Sequence, residues 1–186
     1  MEIDPPGQIR SPPEVARRAL SLFAVVAVAL GGDREEIIEW LHNNGLFEDL
    51  SSMEARFIED PEPSRREIIN ASWYSERLIT LLWALGLASM PPADEQCDTS
   101  LFQDILPPYA EVSESDFINS AKLWKDDELM AMADQTLDLH WEARDAEIHR
   151  RSLRNVNLGI IQERHHAINW VIGYDGLAWD EVTTDT

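Results

Sequence analysis

The residues best suited to chemistry in this 186-residue chain are its five histidines and their acidic neighbours. Glu163 and His166 form a Glu-x-x-His pair, the spacing with which helical di-iron proteins aim two ligands at one metal ion. Such a site needs a second copy of the motif and glutamates from two further helices. The pair Glu39 and His42 has the same spacing but is a weak candidate for the second copy, and no His-Glu-x-x-His motif occurs. We therefore expect His165 and His166 to be one packed and one exposed histidine, with no metal and no other cofactor.

Seven tryptophans are the second unusual feature of the chain. Helical periodicity places four of them on inward faces beside polar residues: Trp73, Trp83, Trp141 and Trp170, next to Glu76, His140, Arg144 and Glu163. A buried indole N–H needs an acceptor, which a carboxylate can provide. In one interpretation these residues form a polar network in the core, with one of the glutamates paired to Arg144 or Arg164. In the other they line an aromatic pocket that binds a ligand, or in which His140 with Glu163 or Glu76 performs general acid–base catalysis as in a small hydrolase. We favour the network.

Several familiar catalytic signatures do not occur in the sequence. There is no Walker loop, no dinucleotide fingerprint and no Gly-x-Ser-x-Gly elbow. The single cysteine, Cys97, excludes an intrachain disulfide and a multi-cysteine zinc site. The apolar run 19–30 is too short for a bilayer, which needs about 20 residues, and the acids that precede it do not suit a signal peptide. We expect a cytoplasmic protein without a catalytic role.

The chain is strongly acidic, with a formal net charge of −20. This charge disfavours nucleic acids and anionic membranes as partners, because their phosphates would be repelled. The acids are concentrated in a few runs, of which Asp126, Asp127 and Glu128 form the clearest. Such a run is usually a solvated face, but it also fits a docking surface for a basic protein.

The pattern of apolar residues predicts an all-α fold of about six to eight helices in one domain, residues 13–186, after an extended lead-in over residues 1–12. A helix over residues 15–30 is apolar nearly all round, so we place it at the centre. Residues 91–115 carry four prolines and are predicted to be an irregular loop or strap. In the long helix predicted over residues 125–151, an inner face is expected from Leu129, Ala133, Leu137, His140 or Trp141, Arg144 and Ile148.

Several motifs together resemble the bacterial family called domain of unknown function 4272. They are Trp73-Tyr74-Ser75-Glu76, Leu82-Trp83-Ala84-Leu85-Gly86, Leu139-His140-Trp141, Arg144-Asp145-Ala146, Glu163-Arg164-His165-His166-Ala167-Ile168-Asn169-Trp170, Trp179-Asp180-Glu181-Val182 and Asp185-Thr186. The likeness runs from about Arg17 to the C-terminus. The chain differs where a Tyr-Arg pair is expected before Leu139, since Leu137-Asp138 stands there.

The resemblance implies signature positions but no activity, because the family has none established. These positions are Glu76, His140, Trp141, Arg144, Glu163, Arg164, Trp170 and Asp180. Combining residues and resemblance, we expect a non-enzymatic acidic module that binds a basic protein. One form of it is a bacterial immunity-type protein that neutralises a basic toxin. The expected binding residues are the acidic run 126–128 together with Trp73, Trp141, Arg144, Arg164, Trp170 and Asp180, while the oligomeric state stays open.

Overall fold

The first helix, α1 (Pro12–Ala29), lies at the centre of the molecule, and most of its side chains are buried. Ser11 precedes it, and the Glu14 carboxylate accepts a hydrogen bond from the Ser11 backbone N–H at 2.8 Å. Two prolines occupy the first turn, where their missing N–H groups cost nothing. The chain leaves the helix through Gly31, whose φ of +94° suits glycine. The central placement predicted for this segment is therefore confirmed.

The computed structural model describes residues 7–184, and over that range it contains eight α-helices and no strand. After α1 the helices are α2 (Arg34–Asn43), α3 (Ser52–Glu59), α4 (Arg65–Ala84), α5 (Leu101–Ile105), α6 (Glu114–Asn119), α7 (Asp126–Ile148) and α8 (Leu158–Val171). Three 3₁₀ turns lie at Phe47–Asp49, Tyr174–Gly176 and Trp179–Glu181. The all-α prediction is confirmed. Within the described range no helix is long and apolar enough to cross a membrane.

The four longest helices pack in the order α1, α4, α8, α7, so that each contacts its neighbours in this series. Serine and asparagine caps fix where several of them begin: Ser51, Ser64, Ser113 and Asn157 each accept a backbone N–H of the first turn. Of the lead-in predicted over residues 1–12, residues 7–11 are not helical, Pro12 already begins α1, and residues 1–6 lie outside the described part of the chain. The Arg10 backbone N–H donates to the Val171 carbonyl at 2.9 Å, which joins residues 7–11 to the end of α8.

The inner face of α7 differs from the predicted one. Leu129, Ala133 and His140 are buried as expected, together with Thr136, Ala143 and Ala146. The remaining residues assigned to that face, Leu137, Trp141, Arg144 and Ile148, are exposed. The prediction was wrong because α7 carries apolar residues on two sides, and the small Ala143 and Ala146, not the large Leu137 and Trp141, form its buried side.

Candidate functional site

A buried ion pair between Glu76 of α4 and Arg164 of α8 is the most extensively bonded pair among the signature positions. The two side chains are 1% and 3% exposed, and Arg164 Nη2 lies 2.8 Å from Glu76 Oε2. Arg164 Nε donates to the same oxygen at 2.9 Å. The pairing of a core glutamate with an arginine was predicted, and of the options left open the structure shows Glu76 with Arg164.

This ion pair also holds the segment that follows α4. Arg164 donates to the carbonyls of Pro91, Pro92 and Glu95 at 2.7–3.0 Å. The second oxygen of Glu76 accepts the backbone N–H of Cys97 at 2.8 Å. Burial, followed by the nearby Glu76 carboxylate, raises the pKa of the Cys97 thiol to about 12. Cys97 is therefore a protonated packing residue. The oxygens and nitrogens of the ion pair are all used in these bonds, so none is left to bind a ligand.

A second buried ion pair joins Arg18 of α1 to Glu54 of α3. Trp179, near the C-terminus, donates its indole N–H to Glu54 Oε1 at 3.1 Å, and Arg18 lies 4.3 Å from the centre of the Trp179 ring. Glu54 Oε2 meanwhile accepts the Ser51 backbone N–H at 2.9 Å, so the same carboxylate also caps α3. Three distant segments of the chain thus meet at one glutamate.

A third cluster lies next to Trp179. Arg77 of α4 pairs with Glu163 of α8, and its Nη1 lies 3.4 Å from His166 Nε2. Burial, and then the positive charge of Arg77, lowers the pKa of His166 to about 3. Since the guanidinium donates, the neutral His166 accepts at Nε2. Trp170 packs edge-on against Trp179, with ring centres 5.3 Å apart.

His140 of α7 and His165 of α8 face each other in the interior, with their Nδ1 atoms 2.9 Å apart. Asn169 Nδ2 lies 3.0 Å from His165 Nε2 and 3.2 Å from the Thr183 carbonyl. An amide that donates to both requires His165 to accept at Nε2, so its proton sits on Nδ1 and is donated to His140. Burial, and then the neighbouring His140, lowers the pKa of His165 to about 4, while burial, and then Arg144, lowers the pKa of His140. These histidines are neutral bonding groups at pH 7. His165 and His166 are both buried, so the expectation that one of them is exposed was wrong.

The residues considered for acid–base catalysis are not brought together. His140 bonds to His165, whereas Glu163 pairs with Arg77 and Glu76 with Arg164. Glu163 and His165 are two residues apart on α8 and so point to different sides of the helix. Within residues 7–184 no group of three or more histidine, cysteine or acidic side chains is arranged to hold a metal ion. The geometry therefore gives no support to the hydrolase alternative.

The other predicted site residues divide between interior and surface. Trp170 is buried and Trp73 half-buried, while Asp126, Asp127, Glu128 and Asp180 are exposed. Trp141 is 58% exposed, and Arg144 forms only an exposed pair with Glu147 at 3.4 Å, which corrects the inward placement predicted for both. Leu137 and Asp138, where the chain departs from the expected family pattern, are also exposed.

Sequence reasoning missed the Arg18–Glu54–Trp179 cluster and the role of Arg77. In the sequence Ser51 and Glu54 match only a capping box, and the capping bond uses just one oxygen of Glu54. The available signal was Arg18, a charged residue inside an apolar helix, because a buried arginine requires a carboxylate partner. Which carboxylate it is depends on the packing of α1 against α3.

A family model described as Domain of unknown function (DUF4272) matches residues 2–182. The chain belongs to this family. The match extends further toward the N-terminus than the motifs that suggested it, and Asp185-Thr186 lie beyond it and outside the described residues. No curated protein and no solved structure matches the chain. In this DUF4272 member, four of the signature positions (Glu76, His140, Glu163 and Arg164) bond to other side chains of the fold.

Replacing Glu76 by glutamine is expected to lower the free energy of unfolding by about 3 kcal/mol, because Arg164 is left buried without its counter-charge. The matched control is Glu147→Gln, which breaks the exposed pair with Arg144 and is expected to cost less than about 0.5 kcal/mol. Urea denaturation of the two variants measures both effects. Equal, small losses in the two variants would show that the buried pair does not hold the fold.

The stability of the protein is expected to fall as the pH drops below 6.5. In that range the unfolded chain takes up protons on His165 and His166, whereas the folded chain does so only near their lowered pKa values of about 4 and about 3. Each histidine then contributes a slope of about 1.4 kcal/mol per pH unit. Carboxyl groups whose pKa is lowered in the fold, such as Glu67, which accepts hydrogen bonds from Ser64, affect the stability only below about pH 4.5.

Urea denaturation between pH 7.5 and 5 measures this slope. At the acid end of this range His165→Gln should reduce the slope by up to about 1.4 kcal/mol per pH unit, while His149→Gln, at an exposed position, should change it clearly less. A slope that both variants share with the wild type would contradict the assignment of His165 as a buried neutral group.

Proposed function

We propose that this DUF4272 protein is a non-enzymatic, acidic binding module whose helix α7 contacts a basic protein partner. The buried charged groups, such as Glu76 and Arg164, are paired with one another, so they add no net charge to the core. The large acidic surplus, with a net charge of −20, is therefore carried mostly at the surface. A surface of one sign attracts partners of the other sign and raises their rate of association.

The observation that carries the proposal is a stripe of exposed apolar side chains along α7. Met130, Leu137, Trp141 and Ile148 are 39–70% exposed. They are seven, four and seven residues apart, so they lie on one line of the helix surface. A helix that buries one side in the fold needs no second apolar line, and a contiguous exposed patch of this kind marks an interaction surface. Tryptophan is enriched among the residues that dominate binding energy.

Acidic residues accompany the stripe on α7. Asp134, Asp138 and Glu142 are exposed on the same helix, and the run Asp126, Asp127 and Glu128 begins it one turn before Met130. An apolar centre with a charged rim is the usual anatomy of a protein interface. The acidic rim favours a basic partner. It disfavours a second copy of this chain, because the two acidic rims would repel each other.

In its most specific form, the proposal is that the protein is bacterial and cytoplasmic and neutralises a basic toxin by covering its active site, as immunity proteins do. The acidic face supplies the complementary charge for such a partner. The buried, protonated Cys97 and the lack of any second cysteine suit a reducing compartment.

Replacing Leu137 and Trp141 together by serine is expected to weaken partner binding at least about tenfold, because both side chains would lie at the apolar centre of the contact. The partner is first captured at low salt from the native host and identified by mass spectrometry. The affinity of the purified partner for each variant is then measured by calorimetry. Leu30→Ser, which removes an exposed leucine just after the end of α1, is the control and should bind as wild type.

The acidic rim is tested on the same complex. Changing Asp126, Asp127 and Glu128 to serine should slow association and weaken its dependence on salt. The same change at three exposed glutamates elsewhere, Glu48, Glu59 and Glu62, should have a clearly smaller effect. An acidic partner, or one that binds both the stripe and the rim variants with wild-type kinetics, would contradict the proposal.

A further inference from the structure

A cavity of about 240 Å³ opens between α1, α2 and the loop after α5. Phe23 and Ala24 of α1 are buried and form its apolar floor, while Trp40 and Tyr109 line its sides. Tyr109 is 63% exposed and packs edge-on against Phe23, with ring centres 6.2 Å apart. Pockets for drug-sized ligands usually measure about 300–1,000 Å³, so this cavity suits a smaller molecule.

Carboxylates surround this aromatic cavity. Asp33 and Glu36 line it and are exposed. Glu114 accepts the indole N–H of Trp40 at 2.6 Å, and this hydrogen bond increases the electron density of the ring. Among residues 7–184, no arginine, lysine or histidine lines the cavity. The nearest arginine in sequence, Arg34, donates to the Phe57 and Ile58 carbonyls, and so directs its charge toward α3.

We propose that this cavity binds a small organic cation, an alkylated ammonium or a guanidinium with its alkyl chain. The faces of Trp and Tyr rings attract such cations, and the attraction is stronger where water is partly excluded. The apolar floor accommodates the methyl or methylene groups, which disfavours a hydrated metal ion, and the carboxylates disfavour an anion. The cation is either a free molecule or a basic side chain of a bound protein. The site does not depend on the α7 stripe.

The test is a titration of the wild-type chain with choline, followed through the ¹⁵N–¹H signal of the Trp40 indole, which Trp40→Phe assigns. The neutral isostere 3,3-dimethylbutan-1-ol has the same shape without the charge, and sodium chloride controls for ionic strength. Choline should shift the signal saturably and bind about tenfold more tightly than the isostere. Nα-acetyl-arginine amide, titrated in parallel, represents the side chain of a protein, and the tighter ligand of the two identifies the source of the cation.

Two neighbouring glutamates in the first turn of α2 provide matched variants. Glu36 lines the cavity, whereas Glu35 is exposed outside the lining, so both substitutions remove one charge from the same turn. Glu36→Gln should weaken choline binding about two- to fivefold, and Glu35→Gln should leave it near the wild-type value. Tyr109→Leu, which keeps an apolar side chain but removes the ring, should also weaken binding. Equal affinity for choline and its isostere, or no saturable shift at about 100 mM choline, would overturn the proposal.

Discussion

The rest of the structure depends on the requirement that charges taken out of water must be paired inside the protein. Arg164 meets this requirement with the Glu76 carboxylate and the carbonyls of the strap residues Pro91, Pro92 and Glu95, and Glu76 uses its remaining oxygen on the Cys97 amide. An isolated buried charge is strongly unfavourable. Arg164, Glu76 and the strap groups bonded to them therefore lose their contacts in one step, not one by one. The pair therefore fixes α4, α8 and the strap as one unit, against which α1 and α7 pack.

Local signals in the sequence predicted the all-α fold and the approximate extent of α1 and α7. The serines and glycines that begin and end helices act only on neighbouring residues, so they can be read from the sequence. The central place of α1 follows from its lack of a polar side. The faces of α7 could not be assigned in this way. Its contact side uses Ala143 and Ala146, while Trp141 and Ile148 remain exposed, and only the close approach of α8 decides between them. Contacts such as Arg18 with Glu54 join segments whose proximity results from the whole fold.

The residues that hold the fold together differ from the exposed residues that we propose to contact a partner. Four signature positions of the family, Glu76, His140, Glu163 and Arg164, would resemble a catalytic set by composition alone, but each is bonded to another side chain of the fold. The groups that we propose for recognition are exposed instead: the apolar stripe of α7 with its acidic rim, and the aromatic cavity beside α2. The neutral histidine pair links α7 to α8 and, through Asn169, to the C-terminal segment, so the helix that carries the stripe is anchored to the core.

The most direct measurement of the central claim, that the Glu76–Arg164 pair unites strap and core, is native-state hydrogen exchange at the Cys97 and Asn157 amides. The first donates to Glu76 and the second to the Ala93 carbonyl of the strap, at 2.8 Å and 2.9 Å. If the strap opens only with the core, both amides exchange with free energies close to that of global unfolding. Fast exchange at both sites, while the amides of α4 and α8 stay protected, would show that the strap opens independently and contradict the claim.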